Sequence, residues 1–386
     1  MIISLIAYGF ITLLMVLLGR NLAIRERITL NTGGKVRFLN AEMVLILLLF
    51  SVFSGIRYGV GTDYFSYLFH YNRYAESGIQ PGWFGNGEYL FEYLTSFFAT
   101  INLPASFFFG TIAFIQIICV YYLLRKHQYL YIFIPFILFW NHFYLDWMNG
   151  IRQCIAVCIF TASIGYAIER KYLKYAIAIG VCTLFHKSAL PLLAVILLPD
   201  RDLFKNRLIT TGIVLAALAI GQTSFIGDYF DQILGTAQLF GYERYEYRLT
   251  EITAGNVEAL AFGPRNIAFL LNYLMIIYFS VEMKKFHRND KLFTWSYNLT
   301  IINAILFFLS MNISHIFIRL AMYFENFNLI TSAFLLHYLW YSYRHTPRKS
   351  YYLTMFSLFA FINMIYLVVA TYFAPHQLSY DVLFNH

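Results

Sequence analysis

Residues 172–198 read YLKYAIAIGVCTLFHKSALPLLAVILL, and the folding of this stretch sets the topology of everything after it. Arg170, Lys171 and Lys174 stand at its start, Arg201, Lys205 and Arg207 follow it, and His186-Lys187-Ser188 interrupts it. Basic residues in short loops stay on the cytoplasmic side of a membrane, so both ends belong there. A single crossing would strand one basic cluster outside and invert each later loop. The stretch therefore predicts a hairpin of two short helices turning at His186–Ser188 near the outer surface. Broken backbone at that depth is tolerated only where it is buried in protein or lines a watery cavity. One long tilted helix with a snorkelling Lys187 is the competing reading.

The rest of the chain supports a membrane setting. Hydrophobic residues make up 60% of the sequence and charged residues 12%, with a mean hydropathy of +0.60, far more apolar than a soluble domain allows. Apolar runs near the length needed to span a bilayer recur along it, so the fold class expected is an all-α polytopic membrane protein. The first run, Ile2 to Leu18, has no basic residue before it and no small-residue cleavage site after it, and reads as a retained helix. Placing Arg20–Arg37, Arg125-Lys126, Arg170–Lys174, Arg201–Arg207, Lys284–Lys291 and Arg344–Lys349 inside gives about 12 crossings in one domain, residues 1–386, with both termini outside. Outer loops fall at about 57–103 and 227–263. Within the first, Pro81-Gly82-Trp83 and Gly85-Asn86-Gly87 mark turns, and Glu88 to Asn102 reads as an amphipathic helix lying on the membrane.

That topology leaves eight of the 28 Lys and Arg unexplained: Arg57, Arg73, Arg152, Lys187, Arg244, Arg248, Arg265 and Arg319. On the outer side these charges oppose insertion, at roughly 2.5–3.5 kcal/mol for each one within the bilayer. Asp63, Glu243, Glu246 and Glu251 are available to pair with some of them. All but Lys187 are arginine, whose planar fork holds phosphate bidentately and stays charged at low dielectric. Arginines gathered at an outer membrane boundary suit a diphosphate headgroup, and three of them neutralise it without a divalent ion, so no metal and no cofactor is expected. The net charge of +8 lies in short loops between spans and does not point to nucleic acid.

Individual positions follow from local pattern. In Arg57-Tyr58-Gly59-Val60-Gly61-Thr62-Asp63, two glycines allow positive φ, so that Arg57 and Asp63 can converge. Arg152 opens a helix after Asn149-Gly150, where free backbone N–H groups also favour an anion, with Gln153 beside it. His315, Arg319 and Tyr323 share one helical face, with Asn312 and Asn326 close to that stripe. His186 is the best-placed base, with Asp63 competing for the task. Tyr58, Tyr64 and Tyr67, with Tyr71 and Tyr74, offer aromatic faces suited to sugar rings, as do the tyrosines around Arg244 and Arg248. The four cysteines lie in apolar runs and read as small core residues.

Phe53-Ser54-Gly55-Ile56-Arg57-Tyr58-Gly59-Val60-Gly61-Thr62-Asp63-Tyr64, with Tyr67 after it, resembles the signature of the EpsG/Wzy family of bacterial polysaccharide polymerases. Asn149-Gly150-Ile151-Arg152-Gln153-Cys154-Ile155-Ala156, Leu184-Phe185-His186-Lys187-Ser188-Ala189-Leu190 and Ile318-Arg319-Leu320-Ala321-Met322-Tyr323-Phe324 resemble three further motifs of that family, in order, over roughly residues 40 to 330. The resemblance implies a multi-pass protein of the bacterial cytoplasmic membrane, similar to GT-C-like membrane glycosyltransferases, with its active site facing outward. It implies transfer of a glycan from undecaprenyl diphosphate to a hydroxyl of a second lipid-linked repeat unit. Undecaprenyl-diphosphate-linked oligosaccharides and membrane lipids would be its partners, with a chain-length regulator and a flippase alongside.

Under that reading Arg57, Arg152 and Arg319, with Arg265, take the diphosphate, and His186 or Asp63 is the base. Tyr58, Tyr64, Tyr67, Asn149, Gln153, Lys187, Tyr323, Arg244 and Arg248 contact substrate. A lipid-linked oligosaccharide flippase or exporter, a glycan ligase and a membrane acyltransferase are the rival readings. A flippase would need a charge-lined path to the cytoplasmic side, and an acyltransferase a cytoplasmic donor route.

Overall fold

The computed structural model describes residues 2–77, 88–223, 263–311, 315–373 and 381–382. Among them are the helices α1 (Ile2–Asn31), α2 (Ala41–Gly55), α3 (Tyr64–Ser77), α4 (Tyr89–Thr100), α5 (Ala105–Leu123), α6 (Ile134–Trp140), α7 (Phe143–Asn149), α8 (Ile151–Ile168), α9 (Tyr172–Phe185) and α10 (Arg207–Gly221). They continue as α11 (Pro264–Tyr278), α12 (Ser280–Phe286), α13 (Lys291–Leu309), α14 (His315–His345) and α15 (Lys349–Phe373). The strand pairing described is two residues long, Arg57–Tyr58 against Asp381–Val382. The protein is all-α in class. Five described helices are long and apolar enough to cross a membrane, or six if α11 and α12, bent by 50° at their junction, form one span.

Asn40, Asn206 and Asp290 each accept a backbone N–H at the start of the helix that follows (α2, α10 and α13). Each stands next to one of the basic loops, so polar caps satisfy the first N–H groups where the chain turns back toward apolar surroundings. The same loops meet one another. Arg25 binds Glu42 at 2.5 Å, Lys126 lies 3.7 Å from Glu169, Lys284 2.9 Å from Asp202 and Lys291 2.8 Å from Asp200.

The stretch from 172 to 198 folds back on itself. α9 ends at Phe185, His186 is extended (φ −155°, ψ 113°), and Lys187–Leu197 returns as a 3₁₀ helix carrying Pro191. The Tyr175 hydroxyl donates to Leu192 O at 2.6 Å across the two limbs. At the open end Arg170 lies 3.6 Å from Asp200. The predicted hairpin is therefore present, with a 3₁₀ second limb.

Other segments depart from expectation. The first helix does not stop near Leu18 but runs past Arg20, Arg25 and Arg27 to Asn31. The apolar residues 129–145, long enough to read as one span, do not form a continuous helix: Gln128–Ile132 is 3₁₀, Pro135 opens α6, and the chain breaks at Asn141, whose side chain accepts the His142 N–H at 2.7 Å. A competing side-chain acceptor and a proline explain the break better than apolar content predicts continuity.

Residues 64–77 form a helix that the tyrosines disguised. Tyr64, Tyr67, Tyr71 and Tyr74 are spaced along one face of α3, and all are buried. Tyr64 is stacked on Phe109 with centroids 5.2 Å apart. These rings are a packing stripe rather than an exposed platform. The helix expected at Glu88–Asn102 is α4, with Glu88 at its N-cap, and it buries Phe91, Glu92, Thr95, Ser96 and Ala99.

Candidate active site

The loop after α2 braces the elbow between α7 and α8. Gly59 and Gly61 have φ of +69° and +94°, the left-handed region that glycine enters without cost. A Cβ on Gly61 would stand 3.0 Å from Met148 O, so the loop lies directly against the elbow. Asn149 Oδ1 accepts the Asp63 backbone N–H at 2.9 Å. Arg57 is buried, with 1% of its surface exposed. Its Nη1 donates to Ser54 O at 2.5 Å, its Nη2 faces Met148 O at 3.5 Å, and its guanidinium lies over the Phe109 and Tyr64 rings. Asp63 is exposed instead. Arg57 thus supports the elbow from behind, and Asp63 reaches the elbow through its backbone.

The elbow presents Arg152 at the first turn of α8, and there it meets two residues distant in sequence. Arg152 Nη1 lies 2.5 Å from Glu88 Oε2, and His186 Nδ1 lies 2.5 Å from Glu88 Oε1. One carboxylate therefore uses a separate oxygen for each partner. Tyr67 lies within electrostatic reach of Arg152. Burial alone would push the Glu88 carboxyl up, but the His186 hydrogen bond and the Arg152 charge outweigh it and hold Glu88 below the usual carboxylate range. An ionised carboxylate only accepts, so Nδ1 of His186 carries hydrogen and the neutral ring keeps its lone pair on Nε2. The His186 side chain is 16% exposed, whereas Glu88 is 3% exposed.

α14 completes the site. The Tyr323 hydroxyl and Ser188 Oγ lie 2.8 Å apart, joining α14 to the hairpin turn. Gln153 Nε2 donates to Arg319 O at 2.6 Å, which sets Arg319, exposed at its side chain, beside the start of α8. Lys187, next to His186, is exposed. Asn326 serves packing: it accepts from Trp147 Nε1 at 3.2 Å and donates to Thr161 Oγ1 at 3.0 Å. The side chain of His315, Asn312, and Arg244 and Arg248 lie outside the described residues.

Of the positions singled out from sequence, Arg152, Gln153, His186, Tyr67, Arg319 and Tyr323 come together. Arg57, Tyr58, Tyr64, Asp63 and Asn149 form the brace behind them. Arg265 lies elsewhere, its guanidinium over Phe269 and Tyr366 at 5.5 and 5.1 Å and in electrostatic reach of Asp146 and Glu325. Glu88 is the residue that sequence reasoning missed. The signal available was its place at the start of α4 directly after the sequence Gly85-Asn86-Gly87, where a carboxylate in an apolar chain needs a partner. Also unforeseen were His142, Asp146 and Glu325, whose ligand atoms lie within 4.8 Å of one another.

Among described residues the arrangement offers a carboxylate-oriented imidazole beside Arg152, with Arg319 joined to the start of α8 through its backbone carbonyl, where the chain breaks between helices. Such a set can remove a proton from a hydroxyl and stabilise negative charge forming beside it. A profile of the EpsG family matches residues 41–380. No curated protein and no solved structure matches the chain. The match covers most of the sequence and includes the brace, the elbow, the hairpin turn and α14, and on that ground the chain belongs to the EpsG family, a family of Wzy-type polysaccharide polymerases.

Proposed function

We propose that this protein polymerises lipid-linked oligosaccharide repeat units at the outer face of the bacterial cytoplasmic membrane. The glycan carried on undecaprenyl diphosphate is transferred to a hydroxyl of a second lipid-linked unit. His186 Nε2 takes the proton of the attacking hydroxyl, a bond forms from that oxygen to the anomeric carbon, and the bond from that carbon to the diphosphate oxygen breaks. Glu88 orients the ring and stabilises the imidazolium. Arg152 and Arg319 face the charge that develops on the departing lipid diphosphate, Lys187 borders the reacting groups, and the buried Tyr67 and Tyr323 steady Arg152 and the hairpin turn. Arg57 acts at one remove, by holding the elbow that carries Arg152. Asp63 is left to orient the loop or a sugar.

The observation that supports this reading is the contact of His186 and Arg152 with the two oxygens of one buried carboxylate. The outward orientation rests on the basic loops gathering at the end of the hairpin opposite His186. The test is gel analysis of surface glycan in cells carrying His186→Ala, Arg152→Ala, Arg319→Ala or Glu88→Gln. Loss of the polymer ladder with a single-repeat band retained is expected. Loss of single repeats as well would favour a flippase, and normal ladders in all four would remove the site.

A further inference from the structure

A second polar cluster is built on α7, the helix that leads into the elbow. His142 stands at the break between α6 and α7, Asp146 one turn later and Glu325 on α14. His142 Nε2 is 2.5 Å from Glu325 Oε1 and 3.9 Å from Asp146 Oδ2. The imidazole is 2% exposed, wedged against Phe143, Phe269 and Tyr366, while the two carboxylates are 22% and 17% exposed. A buried nitrogen thus faces a partly open pair of oxygens.

The tautomer of His142 is fixed by a chain of bonds that ends on the backbone. Asn363 Nδ2 donates to Phe359 O at 2.8 Å, so its Oδ1 is free to accept Asn141 Nδ2 at 2.7 Å. Asn141 Oδ1 must then be the acceptor for both the His142 N–H at 2.7 Å and His142 Nδ1 at 2.6 Å. Nδ1 carries a hydrogen, and Nε2 faces Asp146 Oδ2 and Glu325 Oε1, sharing one hydrogen with the latter. That is the arrangement of a metal-ligating histidine, whose other nitrogen donates to an outer partner that sets ring orientation. The three ligand atoms all lie within 4.8 Å of one another, close to the spread that one cation with nitrogen and oxygen ligands at about 2.0–2.2 Å can bridge after a small side-chain shift.

We infer that His142, Asp146 and Glu325 form a divalent-cation site. One imidazole with two carboxylates is a mixed donor set suited to Mn²⁺ or Zn²⁺. The cation takes the place of the hydrogen between Nε2 and Glu325 Oε1, which is released to solvent, and the part-exposed Glu325 carboxyl steps back to ligand distance. Binding ties α7 to α14. It also neutralises the two carboxylates that Arg265 now faces, leaving that guanidinium available to an anion. A cation here departs from the sequence expectation that the chain holds no metal, which was argued from the arginines of the other site.

The test uses the full chain in detergent or nanodiscs, stripped of metal and titrated with MnCl₂ or ZnCl₂ alone. One equivalent is expected to bind and to raise the melting temperature. Asp146→Asn and Glu325→Gln are each expected to weaken binding at least tenfold, and Asn141→Ala, through loss of the outer partner, by about 10–100-fold. Glu88→Gln, in the other site, is expected to bind the metal unchanged, so a failure here and a failure of the polymerase reading are told apart. No stoichiometric Mn²⁺ or Zn²⁺ in wild type, or equal affinity in monodisperse Asp146→Asn and Glu325→Gln, would overturn the proposal.

Discussion

Glu88 and His186, 98 positions apart in sequence, meet at 2.5 Å, and the contact ties the N-terminus of α4 to the turn of the 172–198 hairpin. Neither residue can hold the geometry alone. The hairpin turn lacks a side-chain cap of its own, and α4 starts at Glu88 without one either.

Glu88→Gln keeps the shape but replaces the charge, so the imidazolium that forms during proton transfer loses its counter-charge. Polymer formation is expected to fall by about 10²-fold or more, while purified protein stays folded. His186→Ala should be as inactive as the double variant, because the two residues act as one unit. Strict additivity of the two losses, read from ladder length in cells or turnover in vesicles, would separate them.

The pH response of stability follows from the same carboxylate. The folded value of Glu88 lies below its ordinary 4.5, so its stabilising contribution is fully present above that value. It is lost as pH falls through the lower folded one. Melting curves between pH 7 and pH 5 should therefore show no change from this group, with a decline setting in below about 4.5. Glu88→Gln removes that part of the decline. An identical acid profile in wild type and variant would count against the ionised Glu88.

The hairpin, the two positive-φ glycines and the order of the basic loops were legible in the sequence, because each is a local matter of charge placement or backbone freedom. Glu88 was not, since its importance comes only from partners 64 and 98 positions away. α3 was hidden by its own tyrosines: a stripe of four rings that packs inward has the same composition as an aromatic outer loop. His142 and Glu325 were invisible for a related reason, as single polar residues inside apolar runs give no hint of facing one another. Arg57 was legible as unusual, but the sequence could not say that its guanidinium would be spent on backbone carbonyls.

That use of Arg57 makes a distinct expectation. Arg57→Ala leaves the Ser54 carbonyl without its donor and opens space against Phe109, costing about 2–4 kcal/mol. Arg319→Ala, at an exposed side chain, should cost within about 0.5 kcal/mol. Both variants are expected to lose polymer, but only Arg57→Ala should lower the melting temperature. If Arg57→Ala melts with wild type, the residue is not a brace and direct contact with the diphosphate becomes the better account.

The hairpin also fixes where the chain lies afterwards. Arg170 and Asp200 are 3.6 Å apart, so the loops before and after the hairpin share one face. Lys291, 2.8 Å from the same Asp200, brings the α12–α13 loop to that face as well. A topology reporter fused at Asn206 should therefore read cytoplasmic, as should one at Asn289, and a reporter inserted after Lys187 should not. Cysteines at positions 170 and 200 should cross-link in membranes from cells lacking other reactive thiols. Opposite sidedness at Asn206 and the Arg170 loop would mean a single crossing; the basic clusters would then flank the membrane, and His186 would sit at mid-depth, not at an outer turn.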